Sequence, residues 1–186
     1  ILTMLGCRIR CGGHTLTLDA GGLNRTEMPD ALSKQIRSSI FLLGPILSRF
    51  RQATVTYPGG CEIGLRHIDL HLSGLRSLGV VIHEEGGVIH CDGSNMHSGE
   101  VHLDYPSVGA TENILMAAAL AKGTTRIENA AKEPEIADLC DFLTQMGAHI
   151  SGGGTSTILI EGRETLHGCR YRPIPCLLYT SPSPRD

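Results

Sequence analysis

The sequence predicts an α/β domain of the α+β kind, in which a repeated β-α-β-α-β-β unit gives pseudo-threefold symmetry, with helices inside and sheets outside. The main observation is one pattern that occurs three times along the 186 residues, about seventy residues apart. Composition supports it, because 23 glycines and only 4% aromatic residues favour a tightly turned α/β chain over a β-sandwich. With 41% hydrophobic and 19% charged residues, the chain has the balance of a globular protein and not of a disordered one.

Each copy of the pattern is the end of a helix followed by a strand, a glycine turn and a second strand. The helix ends carry Gly6, Gly79 and Gly147, each placed where a helix C-cap needs a left-handed residue. The strand pairs that follow alternate in the manner of hairpins, around glycine turns at 12–13, 86–87 and 152–154. Three copies with matching flanks predict three related units.

The segments between the copies follow the same order in each unit. Helices are predicted at Ala31–Leu47, His67–Leu78, Gly109–Lys122 and Glu133–Met146, and strands at Thr54–Tyr57, Glu100–Leu103 and Thr124–Asn129. Gly44-Pro45 should kink the first helix. Helix Gly109–Lys122 is apolar nearly all round, which is typical of a buried helix.

Charge and hydropathy exclude several classes of partner. The net charge of −3 gives no reason to expect nucleic-acid binding. The longest apolar stretches, Ile40–Leu47 and Ile114–Ala121, are far shorter than the roughly 20 residues of a membrane span, so we expect a soluble chain. The cysteines form no CxxC pair or zinc-like spacing, and without a secretory signal they fit the reducing cytoplasm. We therefore expect no metal site and no cofactor.

Both ends of the sequence differ from those of a finished protein. The chain begins at Ile1, within what resembles a helix end, so the first of the three units is expected to be truncated. Residues 176–186 resemble the translation of a sequencing adapter, although a natural Pro/Ser-rich tail is the alternative. The expected domain is therefore residues 1–175.

A cysteine lies in a glycine-rich segment between a predicted strand and a predicted helix. Cys61 follows Gly59-Gly60 and precedes Gly64, and both the coming helix N-terminus and nearby Arg66 could lower the pKa of its thiol. The alternative is a small hydrophobic side chain that fills a gap in a loop. From spacing alone, both interpretations remain open.

The next segment, Arg66–His71, opens a helix. An arginine, open backbone amides and Asp69 together suit a phosphorylated, polyhydroxylated ligand. The alternative is a solvated helix start in which Asp69 complements the helix dipole. His67 and His71 have the i,i+4 spacing of metal ligands, but the carboxylate of an HExxH motif is missing.

Two further features suit an anion. Ser107, with the amides of Val108 and Gly109, could form an anion seat at a helix N-terminus, or Ser107 could be an ordinary N-cap. Arg37 lies on a largely apolar helix, where a surface arginine is the alternative to a ligand contact.

Four segments together resemble one family. They are Pro58–Gly64, Arg66–His71, Ser107–Thr111 and Glu128–Ile136. In this order they closely resemble the UDP-N-acetylglucosamine 1-carboxyvinyltransferases, the enolpyruvyl transferases of the first committed step of peptidoglycan synthesis. The resemblance extends over residues 1–175 and implies a fold of two domains, each an inside-out α/β barrel of three units.

The resemblance also implies an activity and its residues. The family transfers the enolpyruvyl group of phosphoenolpyruvate to the 3-hydroxyl of UDP-N-acetylglucosamine and releases phosphate. Cys61 matches the family's general acid, which protonates the methylene carbon of phosphoenolpyruvate. Arg66 matches a residue that contacts the phosphate of phosphoenolpyruvate, and Arg37 matches one that contacts the nucleotide sugar. The stretches that match those holding the nucleotide and its diphosphate consist of Arg66, His67, Ile68, Asp69 and Leu70, and of Tyr105, Pro106, Ser107 and Val108 with Gly109 beside them.

Departures from the family leave alternatives. The family often has other residues at His67 and Tyr105, and its Lys-Asn pair and its proton-accepting Asp are expected outside this chain. The piece itself is therefore not expected to turn over. A shikimate 3-phosphate enolpyruvyl transferase is the related alternative, which Cys61 argues against, and a non-catalytic nucleotide-binding module is the alternative from another class.

Overall fold

A computed structural model of the chain describes residues 1–59 and 67–175, and in these ranges it has the three predicted hairpins. The strands are β1 (Arg8–Gly12), β2 (Thr15–Asp19), β3 (Gln52–Thr56), β4 (Val81–Glu85), β5 (Val88–Asp92), β6 (Glu100–His102), β7 (Gly123–Glu128), β8 (His149–Ser151) and β9 (Thr157–Gly162). The helices are α1 (Asp30–Ser33), a 3₁₀ helix (Arg37–Leu42), α2 (Leu43–Phe50), α3 (Asp69–Ser77), α4 (Val108–Ala118) and α5 (Pro134–Gln145).

The strands form three separate sheets, one for each predicted unit. The third sheet has the order β6-β7-β9-β8, with β6 parallel to β7 and the other pairs antiparallel. The second has the order β3-β5-β4, and a parallel bridge from Glu27 to Thr54 takes the place that β6 has in the third. In the described residues the first sheet is the β1–β2 hairpin alone. The second sheet therefore repeats the order of the third.

The glycines that end the helices confirm the repeat. Gly6, Gly79 and Gly147 have φ of 109°, 80° and 101°, which is the positive range that other residues rarely adopt. Each glycine leads directly into a hairpin. Gly79 and Gly147 follow α3 and α5, and Gly6 follows a turn in which the amide of Leu5 donates to the carbonyl of Ile1.

Helix α4 is the centre of the molecule and packs against α2, α3 and α5. Ile114 and Leu115 are fully buried, as expected for a helix that is apolar on nearly every side. Glycines allow two neighbours to approach closely. A Cβ on Gly44 of α2 would lie 2.9 Å from Asn113 Oδ1, and one on Gly74 of α3 would lie 2.7 Å from Ile114 Cγ1. The prediction of a buried helix here is confirmed.

The prediction of one continuous helix over Ala31–Leu47 is wrong, because the segment consists of α1, the 3₁₀ helix and α2. The hydroxyl of Ser39 donates to the carbonyls of Ser33 and Ile36, which replaces regular helical bonding at the break. The predicted kink at Gly44-Pro45 is wrong as well. Pro45 lies in the first turn of α2, where its missing N–H removes no helical hydrogen bond.

No helix within the described ranges is long and apolar enough to cross a membrane.

Candidate active site

Three of the segments singled out in the sequence meet where α3 and α4 begin. The 3₁₀ helix brings Arg37, the start of α3 brings residues 67–70, and the start of α4 brings residues 105–109. The guanidinium of Arg37 donates to the carbonyl oxygen of His67 at 3.2 Å, which joins the first two segments. Gly109, in the segment at the start of α4, lies against His71 of α3 and Phe41 of the 3₁₀ helix, so this third segment meets the other two. Cys61 and Arg66 lie outside the described residues.

The start of α3 offers polar groups on a buried base. Ile68 and Leu70 are buried, whereas His67 and Asp69 are exposed. A cavity of about 270 Å³ adjoins them, and its wall includes Tyr57, His67, Ile68, Asp69, Arg76 and Glu84. Because Ile68 and Leu70 turn their side chains into the core, they can contact a ligand in this cavity mainly through backbone.

The wall of this cavity is tied together by charge. The hydroxyl of Tyr57 donates to the carboxylate of Glu84, which also pairs with Arg76 at 3.1 Å. The hydrogen bond from Tyr57 and the one from Arg76 lower the pKa of Glu84. The residue that leads into the Cys61 segment is thereby attached to α3 and β4.

The start of α4 has the form of an anion seat. Ser107 is the N-cap, and its hydroxyl oxygen accepts from the amide of Ala110 at 3.4 Å. The amides of Val108 and Gly109 belong to the first turn, where N–H groups have no acceptor within the helix. Tyr105 and Pro106 are exposed beside them. Ser107 is thus an N-cap, and the open amides remain directed beyond the helix end.

Two polar residues lie beneath this seat, Asn113, which sequence reasoning missed, and His71, which it noted only within the segment Arg66–His71 and as a possible metal ligand. His71 is only 5% exposed and Asn113 is fully buried, and the two are joined by a hydrogen bond of 2.9 Å between Asn113 Nδ2 and His71 Nδ1. The available signal was the asparagine itself, because Asn113 is a polar residue in the middle of an apolar helix. A buried amide needs partners, and those partners are usually functional or architectural.

The cysteines of the described part divide by burial. Cys7, Cys91 and Cys140 are buried, whereas Cys11 and Cys169 are exposed. Burial raises the pKa of Cys91 to about 12 and that of Cys140 to about 11, which keeps both as thiols at neutral pH.

Residues 1–59 and 67–175 contain no group of three or more His, Cys, Asp or Glu side chains that could hold a metal ion. The i,i+4 pair noted in the sequence is split by its surroundings, since His67 is exposed and His71 is buried against Asn113.

Comparison with known proteins places the chain in a family. The family model of EPSP synthase (3-phosphoshikimate 1-carboxyvinyltransferase) matches residues 1–177. The chain belongs to this family. One relative within it, UDP-N-acetylglucosamine 1-carboxyvinyltransferase 2 of Caldanaerobacter subterraneus, is 53% identical over 175 residues, which are 94% of this chain and 42% of the relative. The chain therefore spans less than half the length of that protein.

Solved structures of enolpyruvyl transferases share the fold. NikO from Streptomyces tendae superposes with a TM-score of 0.75 at 26% identity, over 90% of this chain and 40% of that one. EPSP synthase from Acinetobacter baumannii superposes with a TM-score of 0.61 at 19% identity, over 88% and 38%. The predicted fold class is confirmed. Within the EPSP synthase family, the chain resembles the curated UDP-N-acetylglucosamine 1-carboxyvinyltransferase far more closely in sequence than it resembles this EPSP synthase.

Proposed function

We propose that the protein to which this chain belongs transfers the enolpyruvyl group of phosphoenolpyruvate to the 3-hydroxyl of UDP-N-acetylglucosamine and releases phosphate. This would be the first committed step of peptidoglycan synthesis, in the cytoplasm, and so part of cell-wall growth and division. The observation that carries the proposal is the meeting of Arg37, residues 67–70 and residues 105–109 at the starts of two helices. The same residues lie in segments that resemble the UDP-N-acetylglucosamine 1-carboxyvinyltransferases. The chain is also 53% identical to one such enzyme over 175 residues.

The arrangement suits a nucleoside diphosphate sugar. The N-terminal ends of α3 and α4 carry partial positive charge, and open amides at the start of α4 can donate to phosphate oxygens. The guanidinium of Arg37 adds a full positive charge beside His67. We assign the diphosphate to residues 105–109 and the rest of the nucleotide to residues 66–70, with Arg37 toward the sugar.

The proton chemistry is assigned to Cys61. Addition of a hydroxyl across the C=C of phosphoenolpyruvate requires a proton at the methylene carbon, which a positioned thiol can supply. Arg66 would hold the phosphate of the same substrate. Two residues before Cys61, Gly59 lies so close to Lys34 that a Cβ would be 2.8 Å from its carbonyl carbon, so a larger residue would not fit at this point of the chain.

We further infer that residues 1–175 form most of one domain and that its first unit is completed by chain outside them. The repeat aligns Leu16 with Ile89 and Ile158, and Leu18 with Cys91 and Ile160. The members of the second and third units are buried, whereas Leu16 is 59% exposed and Leu18 is 50% exposed. These two leucines occupy core positions that residues 1–59 and 67–175 leave uncovered.

An assay of phosphate release by the full-length protein tests the proposed function. With phosphoenolpyruvate present, UDP-N-acetylglucosamine should give phosphate and shikimate 3-phosphate should not. Phosphate with shikimate 3-phosphate alone would favour the related enzyme. Binding of UDP-N-acetylglucosamine without phosphate release would favour a non-catalytic module.

A further inference from the structure

The orientation of the Asn113 side chain is fixed by backbone on both sides. Its amide oxygen accepts from the N–H of Gly44 at 2.8 Å, and its amide nitrogen donates to the carbonyl of Ile40 at 2.9 Å. If the oxygen and nitrogen of this amide were exchanged, its NH₂ group would face the N–H of Gly44 and its oxygen would face the carbonyl oxygen of Ile40. Neither pair could form a hydrogen bond. The atom that faces His71 is therefore the NH₂ group, which can only donate.

This orientation decides which nitrogen of His71 carries the proton. Since Asn113 donates to Nδ1, the lone pair of the imidazole lies on Nδ1 and its hydrogen lies on Nε2. The charged groups that face the ring are Arg37 on the 3₁₀ helix and Asp69 on α3 itself. Burial, followed by the charge of Arg37, lowers the pKa of His71 to about 4, against a smaller opposing effect of Asp69. The ring is therefore neutral throughout the physiological pH range.

The Nε2 atom of His71 faces the first turn of α4. A Cβ on Gly109 would lie 3.2 Å from Nε2 and 3.1 Å from the adjacent Cε1, so the imidazole occupies the space that a side chain there would need. Over residues 1–59 and 67–175, the hydrogen bonds of His71 include none at Nε2. An N–H donor of a largely buried side chain thus stands beside the open amides of Val108 and Gly109.

We propose that His71 is a further binding residue, whose Nε2–H donates to an oxyanion of the diphosphate held at the start of α4, and that Asn113 is the positioning residue that fixes its tautomer. The inference rests on the proposed function, since it takes the diphosphate of the nucleotide as the ligand. A neutral donor suits this place, because its hydrogen bond persists where an ordinary histidine would titrate. Asn113 touches no ligand and acts only through His71.

The binding test uses the full-length protein, with UDP and uridine as calorimetric probes. Leucine in His71→Leu removes the donor, whereas glutamine in His71→Gln can place an amide N–H near the position of Nε2. We expect H71L to weaken UDP binding about tenfold or more, because a hydrogen bond to a charged group is lost. H71Q should remain within about threefold of the wild type.

Uridine lacks the diphosphate and separates this role from general damage to the site. Its affinity should be unchanged in both variants. Equal weakening of UDP and uridine in H71L, or no weakening of UDP, would overturn the role of His71. Phosphate release is measured separately. A protein that binds UDP as expected but never releases phosphate contradicts the proposed enzyme activity and leaves this inference standing.

The tautomer itself is measured in the wild-type protein by ¹⁵N NMR after selective labelling of histidine, with H71Q identifying the signals. Between about pH 6 and pH 8 we expect Nδ1 of His71 to be unprotonated and Nε2 to be protonated. Over the same range the affinity for UDP should show no change that follows the titration of a histidine. A protonated Nδ1 would overturn the role of Asn113.

Asn113→Asp provides the matching perturbation. A carboxylate beside Nδ1 should raise the pKa of His71 and make UDP binding stronger as the pH falls through the new value. A folded N113D protein whose UDP binding stays as independent of pH as that of the wild type would also contradict the positioning role.

Discussion

Single thiols in this chain differ in how readily they become nucleophiles. Burial holds Cys91 and Cys140 in the thiol form, with pKa values of about 12 and 11. An epoxide that targets the family should therefore alkylate Cys61 in the full-length protein and leave these two unmodified, because the thiolate is the reactive form. Mass spectrometry of a digest gives the site of the adduct.

Two controls accompany the alkylation experiment. Cys61→Asp should abolish the adduct while it retains an acid that can donate a proton. The exposed thiol of Cys169 should react with a general alkylating reagent, which shows that labelling conditions suffice. Epoxide labelling of Cys91 or Cys140 to the same extent as Cys61 would show that Cys61 has no special reactivity.

Glu112 on α4 is a second residue with an unusual ionisation. Burial, together with the nearby carboxylate of Glu135, raises the pKa of Glu112 to about 7. Since its folded-state pKa lies above the unfolded value, this group stabilises the folded protein most at low pH, and that stabilisation is lost as the pH rises through about 7. Above about pH 7 the ionised carboxylate of Glu112 lowers the stability of the folded protein.

Glu112→Gln should therefore raise the melting temperature of the full-length protein at about pH 8, by about 2–4 °C after allowance for solvent screening of a half-exposed group. The difference in melting temperature between E112Q and the wild type should vanish as the pH falls to the ordinary pKa of a glutamate. Glu85→Gln, at an exposed position of β4, is the matched control and should change neither measurement. An equal benefit of E112Q at low and high pH would contradict the ionisation argument.

Among the elements, α2 and α4 make one of the close contacts. Gly44→Ala would place a methyl group 2.9 Å from Asn113 Oδ1 and closer still to the Asn113 carbonyl oxygen, and neither helix backbone can yield locally. We expect a loss of about 1–3 kcal/mol of stability, which is the usual cost of overpacking. Thermal unfolding of the full-length protein measures it.

The control for this substitution is Gly12→Ala. No atom lies within 4 Å of a Cβ at Gly12, so the change should be nearly neutral. If G44A unfolds at the same temperature as G12A, the two helices are not as closely packed as described.

At the scale of the whole molecule, the β1–β2 hairpin differs from the other two hairpins in its exposure. All ten of its residues are exposed, although β5 and β9 bury alternate residues at the aligned positions. Apolar surface is worth roughly 25 cal/mol per Å², so bare leucines at core positions forfeit stability and favour association.

Hydrogen exchange measures this difference directly. In this chain alone, the amides of β1 and β2 should exchange rapidly, whereas those of β7 and β9 should be protected. In the full-length protein both pairs should be protected, because the first unit would be complete. Equal protection of β1–β2 in the two proteins would contradict the inference that chain outside residues 1–175 covers Leu16 and Leu18. Removal of residues 176–186 should change neither pattern.

Much of the fold could be predicted from the sequence because its signals are local. Gly6, Gly79 and Gly147 mark helix ends through a backbone conformation that glycine adopts without strain, and the apolar run of α4 marks a buried helix. The segments of the candidate site could be predicted as well, since their motifs are contiguous, and three of them meet in the structure, whereas the roles of their residues stay a prediction. Ser107 even forms the N-cap that its position indicated.

Only the tertiary structure decided the break of the predicted helix over Ala31–Leu47 and the polar pair beneath the site. The break depends on which carbonyls the Ser39 hydroxyl reaches, a competition with helical bonding that periodicity does not record. Asn113 meets Ile40 and His71 across 73 and 42 positions of sequence, and such contacts exist only after the helices have packed. The sequence predicted the starts of α3 and α4 to within two residues, because capping and turn signals are local. The packing of α4 against its neighbours decided which nitrogen of His71 carries the proton that faces the start of α4.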